Sequence, residues 1–186
     1  MTTDNLFIPD NIPDSAKMLS SEKYTWLVYL LVVPILAIAY AGIVIRRPYV
    51  VGIAFNKIAF FIGVGLSIVF LVVHELIHAL CCPRDTTVFV YLTSSGIGCV
   101  PACGLKKNRY LLVALMPTIV LGVIPFIIWI CFPGMNVIIS SILFAFSIGS
   151  LSMCVGDIYN AFLAAFKMNR RSVLVTSKTD IYYYNE

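Results

Sequence analysis

Four long apolar stretches separated by polar breaks dominate the chain: Tyr24 to Ile45, Ile58 to Cys82, Tyr110 to Phe132 and Val137 to about Ala161. As an α-helix, each is long enough to cross a hydrocarbon core that takes about 20 apolar residues. None is interrupted by Lys or Arg. Inside a bilayer the backbone must satisfy its own N–H and C=O groups, which predicts helices. The expected fold is therefore an all-α membrane protein, a four-transmembrane-helix bundle over residues 24–166. Pro34, Pro117 and Pro125 are expected to kink their spans.

The flanks and one loop carry a different pattern. Residues 1–23 are polar, with Asp4, Asp10, Asp14, Pro9 and Pro13, and read as an exposed tail. They lack a basic n-region, and the apolar stretch that follows is longer than a secretory h-region, so the first span is expected to be retained. Between spans two and three, Thr86 to Thr93 is β-branched and aromatic, and Ser94-Ser95-Gly96 is a turn signal before Ile97 to Val100. That predicts a small β-hairpin. In the C-terminal tail, residues 167–186, Val173 to Thr176 and Ile181 to Tyr184 flank a Ser177-Lys178-Thr179-Asp180 turn and predict a second hairpin.

Composition agrees with a membrane setting. Of 186 residues, 60% are hydrophobic and 12% charged, against about 25% charged in an ordinary soluble domain. The basic residues set an orientation. Lys17 and Lys23, then Arg84, Lys106, Lys107 and Arg109, then Lys167, Arg170, Arg171 and Lys178 fall on one side of the bundle, against Arg46, Arg47 and Lys57 on the other. By the positive-inside rule both termini and the long loop face the cytoplasm, although Arg46-Arg47 directly after span one pulls the other way. The net charge of +4 requires no nucleic acid, because these residues flank spans and can sit among anionic head groups of the lipid bilayer.

All six cysteines, Cys81, Cys82, Cys99, Cys103, Cys131 and Cys154, lie in spans or in the loop assigned to the cytoplasm, where reducing conditions favour free thiols. Cys99-Val-Pro-Ala-Cys103 has a spacing open to a metal, but no second Cys or His pair stands nearby to complete four ligands.

The chemistry concentrates near the end of span two. His74-Glu75-Leu76-Ile77-His78 contains the only two histidines of the chain. An ionisable side chain at membrane depth is expensive unless it is paired or bound to metal. On a helix the i and i+4 imidazoles share a face about one turn apart and can hold one zinc ion, while Glu75 lies where it can act as a base. A third ligand is then needed. Of nine acidic residues, only Glu75 and Asp157 fall within apolar runs. His78 lies about 9 Å along a helix from Arg84, and Asp157 about 15 Å from Lys167, so both belong to the cytoplasmic half. Two histidines, one carboxylate and an open fourth position make a hydrolytic site, not a closed structural one. Plainer readings remain open. Asp157 can instead bond a neighbouring helix, and the same ionisable groups can form the proton relay of a membrane transporter or stabilise an inactive scaffold. No internal inverted repeat supports transport, and a purely structural site needs no Glu75.

His74-Glu75-Leu76-Ile77-His78-Ala79-Leu80, a Gly-containing loop, Pro117 in span three and Gly156-Asp157-Ile158-Tyr159-Asn160 in span four together resemble the zincin peptidases among small bacterial integral membrane proteins. These are similar in turn to the site-2 protease type of intramembrane metalloprotease. In site-2 proteases the third ligand is an Asp within Asn-Pro-Asp-Gly or Leu-Asp-Gly; Gly156-Asp157-Ile158 departs from that pattern. The resemblance implies a Zn2+ cofactor, a bacterial plasma-membrane location, and cleavage of a membrane protein or peptide near the cytoplasmic face. The resulting expectation is a zinc-dependent intramembrane endopeptidase. His74, His78 and Asp157 hold the metal, Glu75 serves as general base and then acid, and Asn160, one turn beyond Asp157, is a candidate substrate contact.

Overall fold

The computed structural model describes residues 13–20, 28–50, 54–93, 96–177 and 180–185. The start of span one at residues 24–27, Lys23, and the turn residues Ser94-Ser95 and Lys178-Thr179 lie outside them. The chain is mostly helical, with a small amount of antiparallel sheet.

Helix α1 spans Val32–Arg46 and runs into a short 3-10 turn, Arg47–Tyr49. Pro34 sits in its first turn, where a missing N–H leaves no intrahelical bond unmade. The second apolar stretch forms two helices, α2 (Lys57–Val69) and α3 (Leu71–Cys81), bent by 40°. The third is α4 (Lys107–Pro117), a π-helical segment (Thr118–Val123) and α5 (Ile124–Cys131). Pro125 has no N–H for the carbonyl four residues back, and the widened turn ends just before it, with the Ile124 N–H reaching Ile119 O. The fourth stretch is again a pair, α6 (Val137–Met153) and α7 (Val155–Lys167), bent by 50°.

Among the described residues, two helices, Val32–Tyr49 and Lys107–Cys131, are therefore long and apolar enough to cross a membrane unbroken, and there are up to four if each bent pair is one span. The four-helix bundle expected from hydropathy is met in part: its second and fourth spans are each two helices joined at a bend. The breaks fall at Phe70 (φ −74°, ψ 0°) and Cys154 (φ −82°, ψ 4°), both in the bridge region between helix and strand. Neither residue is Pro or Gly, so apolarity alone could not mark them. Backbone bonding continues through each break: Phe70 O accepts from His74 N at 2.9 Å and Cys154 O from Ile158 N at 3.0 Å.

Close packing of α2 on α6 holds the breaks at one level. A Cβ at Gly63 would run into the Ile142 carbonyl oxygen, and one at Gly149 into the Ser67 hydroxyl, so both glycines allow the backbones to approach. Asn56 and Asn136 cap the two helices through their side-chain oxygens. At that end Arg46, 3% exposed, donates to Ser140 Oγ and to the Phe132 and Pro133 carbonyls. Its guanidinium also lies 4.5 Å from the centroid of the fully buried Trp129.

The sheets sit at the other end. Strands β2 (Val88–Thr93) and β3 (Gly96–Pro101) form the hairpin expected after span two, with Val88 opposite Pro101. A four-stranded antiparallel sheet has the order β1-β6-β5-β4, from Lys17–Ser20, Asp180–Asn185, Ser172–Ser177 and Leu105–Lys106. The C-terminal hairpin is thus part of a larger sheet. Part of the stretch read as an exposed tail also belongs to it: Leu19 is 2% exposed and packs with Ala164, Met168 and Leu174. Lys107 Nζ donates to the Ala165 and Met168 carbonyls at the end of α7. The start of α4 and the end of α7 are thereby tied together.

Candidate metal centre

The two breaks place their following turns face to face. On α3, His74 and His78 are buried, while Val72, Leu76 and Leu80 on the opposite side are exposed, as expected for a face turned towards lipid. On α7, Asp157 lies in the first turn, where the helix dipole favours a carboxylate. The Asp157 carboxylate oxygen Oδ2 is 3.0 Å from His74 Nε2 and 3.5 Å from His78 Nε2. The two Nε2 atoms are 3.0 Å apart. Glu75 Oε1 stands 4.0 Å from His74 Nε2, outside this triangle.

The remaining ring nitrogens have their own partners. His78 Nδ1 is 2.9 Å from the Val113 carbonyl, which can only accept, so Nδ1 carries a proton, and in the neutral ring Nε2 is the nitrogen left to bind a metal. His74 Nδ1 is 3.5 Å from the Sγ of Cys154, a fully buried residue at the α6–α7 break. Each imidazole is therefore held at both ends, which is how metal-binding histidines are commonly oriented.

The donor set fits zinc. Tetrahedral ligands at about 2.0–2.2 Å from one ion are about 3.3–3.6 Å apart, a little more than the separations of 3.0, 3.0 and 3.5 Å seen here. His74, Glu75 and His78 form one cluster able to hold a metal, and His74, Cys154 and Asp157 another. In the second, the sulfur lies on the Nδ1 side of His74 and the carboxylate on its Nε2 side. The Nε2 triangle draws on both histidines and leaves Cys154 as a partner of the ring.

A cavity of about 320 Å³ opens beside the triangle, with Glu75, His78, Asp157, Asn160 and Tyr110 on its wall. Strand β3 closes one side, and Leu174 and Ile181 of the four-stranded sheet close another. Asn160 shares the wall with Asp157, as its position one turn on predicts.

Among the described residues, Cys99 and Cys103 join no cluster of metal-binding side chains. All six cysteines are free. Burial pushes the Cys99 thiol up to about 12, and Cys103 Sγ sits 2.9 Å from Thr86 Oγ1.

Sequence reasoning missed Cys154, the Val113 carbonyl and Tyr110. Cys154 had one signal, its position three residues before Asp157, one helical turn away. Tyr110 and the Val113 carbonyl depend on how α4 packs, which periodicity does not report.

A His-Glu-x-x-His helix with a half-buried carboxylate across from it is the donor arrangement of a zincin. The family described as "Putative zincin peptidase" matches residues 67–173, more than half of the chain, and the protein belongs to that family. The matched segment runs from the end of α2 into β5 and contains both histidines, Glu75 and Asp157. No curated protein and no solved structure matches the chain.

Proposed function

We propose that the protein is a zinc-dependent endopeptidase that hydrolyses a peptide bond of a membrane-embedded substrate near the cytoplasmic face, as the site-2 protease type does. One observation carries this reading: His74, His78 and Asp157, from two broken apolar stretches, converge within 3.5 Å beside a cavity that also exposes Glu75. When bound, zinc supplies a Lewis acid that polarises the scissile carbonyl and acidifies water.

The chain's own residues do the rest. His74, His78 and Asp157 hold the ion, and the Val113 carbonyl and Cys154 orient the two rings. Glu75 takes the proton of the attacking water and passes it to the leaving amine as the C–N bond breaks. Asn160 contacts the substrate from the same wall. A helical substrate exposes its peptide bonds poorly. An extended one can pair along the hairpin, whose β3 strand borders the cavity.

We place the protein in the bacterial plasma membrane, as the family resemblance implies, and put both termini in the cytoplasm on the distribution of Lys and Arg. Arg46, the contrary signal, is engaged with Ser140, Phe132 and Pro133 inside the protein, which removes it from the head-group balance.

The direct test is Glu75→Gln in purified protein given membrane-segment peptides. Zinc should be retained while hydrolysis falls by about 10²–10⁴-fold. Flux of protons or solute into liposomes that depends on Glu75, with no peptide product, would point to a transporter instead.

A further inference from the structure

We infer that Pro117 is a positioning residue for the metal centre, acting by leaving the Val113 carbonyl free to fix His78. The inference rests on the proposed zinc site and adds a device that sets it. In an α-helix the carbonyl of residue 113 accepts from the N–H of residue 117. Residue 117 is proline, which has no N–H, and its ring crowds the carbonyl four residues back and tilts it off the helix axis. The next residue does not take over, because the Thr118 N–H goes to Leu115 O.

The unclaimed Val113 carbonyl is the group that meets His78 Nδ1 at 2.9 Å. A carbonyl buried in an apolar span without a donor is strongly disfavoured, so proline at 117 and histidine at 78 answer each other's need. The consequence reaches the metal. With Nδ1 held as a donor, His78 presents Nε2 to Asp157 and His74 in the required tautomer.

Pro117 is fully buried, so its bulk also packs the core, and the test must separate bulk from the missing N–H. Pro117→Ala and Pro117→Val both restore the N–H but differ in size. In each, the restored donor competes with His78 for Val113 O without abolishing that bond, since a carbonyl has two lone pairs. The zinc dissociation constant, measured by chelator competition on purified full-length protein, should rise about tenfold in both variants. Thermal unfolding of the metal-free protein should not be lowered in step. Selective ¹⁵N labelling of histidine should show the His78 Nδ1–H resonance of the zinc-loaded protein shifted towards that of a weaker hydrogen bond.

Unchanged zinc affinity in both variants, with the natural protein binding zinc, would overturn the inference and leave the zinc site standing. An effect that follows side-chain size, or failure of both variants to fold, would assign Pro117 to packing and overturn it too. Absence of zinc from the natural protein would instead remove the reading on which the inference rests.

Discussion

Asp157 Oδ2 lies 3.0 Å from His74 Nε2 although the two residues come from different apolar stretches, each shortly after a helix break. The breaks matter to the site. A straight continuation of α2 or α6 would direct the following turn elsewhere, and bends of 40° and 50° bring the two turns together.

Metal content follows directly from the triangle. The purified protein should carry about one zinc per chain, His74→Ala and His78→Ala should each lose stoichiometric zinc, and Asp157→Asn should hold it more weakly. Inductively coupled plasma mass spectrometry checks this. Full retention in a His74→Ala/His78→Ala double variant would remove the assignment.

Cys154 should matter through His74 and not as a ligand. Cys154→Ala deletes the partner of His74 Nδ1 and is expected to weaken zinc binding about 10–100-fold. Cys154→Ser keeps a polar atom there and should recover part of the loss. In cobalt-substituted protein, a sulfur-to-cobalt charge-transfer band that vanishes in Cys154→Ala would instead show direct ligation.

The contact between α2 and α6 predicts a contrast between two nearby glycines. Gly63→Ala forces a methyl group against the Ile142 carbonyl oxygen, whereas Gly65→Ala enters open space. The first should destabilise by about 1–3 kcal/mol, as overpacking generally does, and the second should be near neutral. Thermal unfolding in detergent distinguishes them. Equal stability of the two variants would mean that α2 and α6 are not packed this closely.

Much of this site is legible in the amino-acid sequence alone. His74, Glu75 and His78 follow from helical spacing, and Asp157 from being the other acidic residue in an apolar run, which makes it the expected partner of the histidines; it lies 3.0 Å from His74. The breaks at Phe70 and Cys154 are not legible, because they come from packing and carry no Pro or Gly. Leu19 is hidden for another reason. The few apolar residues of that stretch follow no helical or alternating pattern, and the burial of Leu19 depends on a sheet built from the far end of the sequence. The link between Pro117 and Val113 is legible in part. The i−4 relation names the freed carbonyl, but only the fold shows that His78 uses it.

X-ray absorption at the zinc edge of the purified, zinc-loaded protein tests the central claim most directly. The account predicts a first shell of nitrogen and oxygen alone at about 2.0–2.2 Å, with the outer-shell scattering of two imidazoles, and loss of one light ligand in Asp157→Asn. A sulfur shell at about 2.3 Å, or a spectrum that Asp157→Asn leaves unchanged, would contradict it.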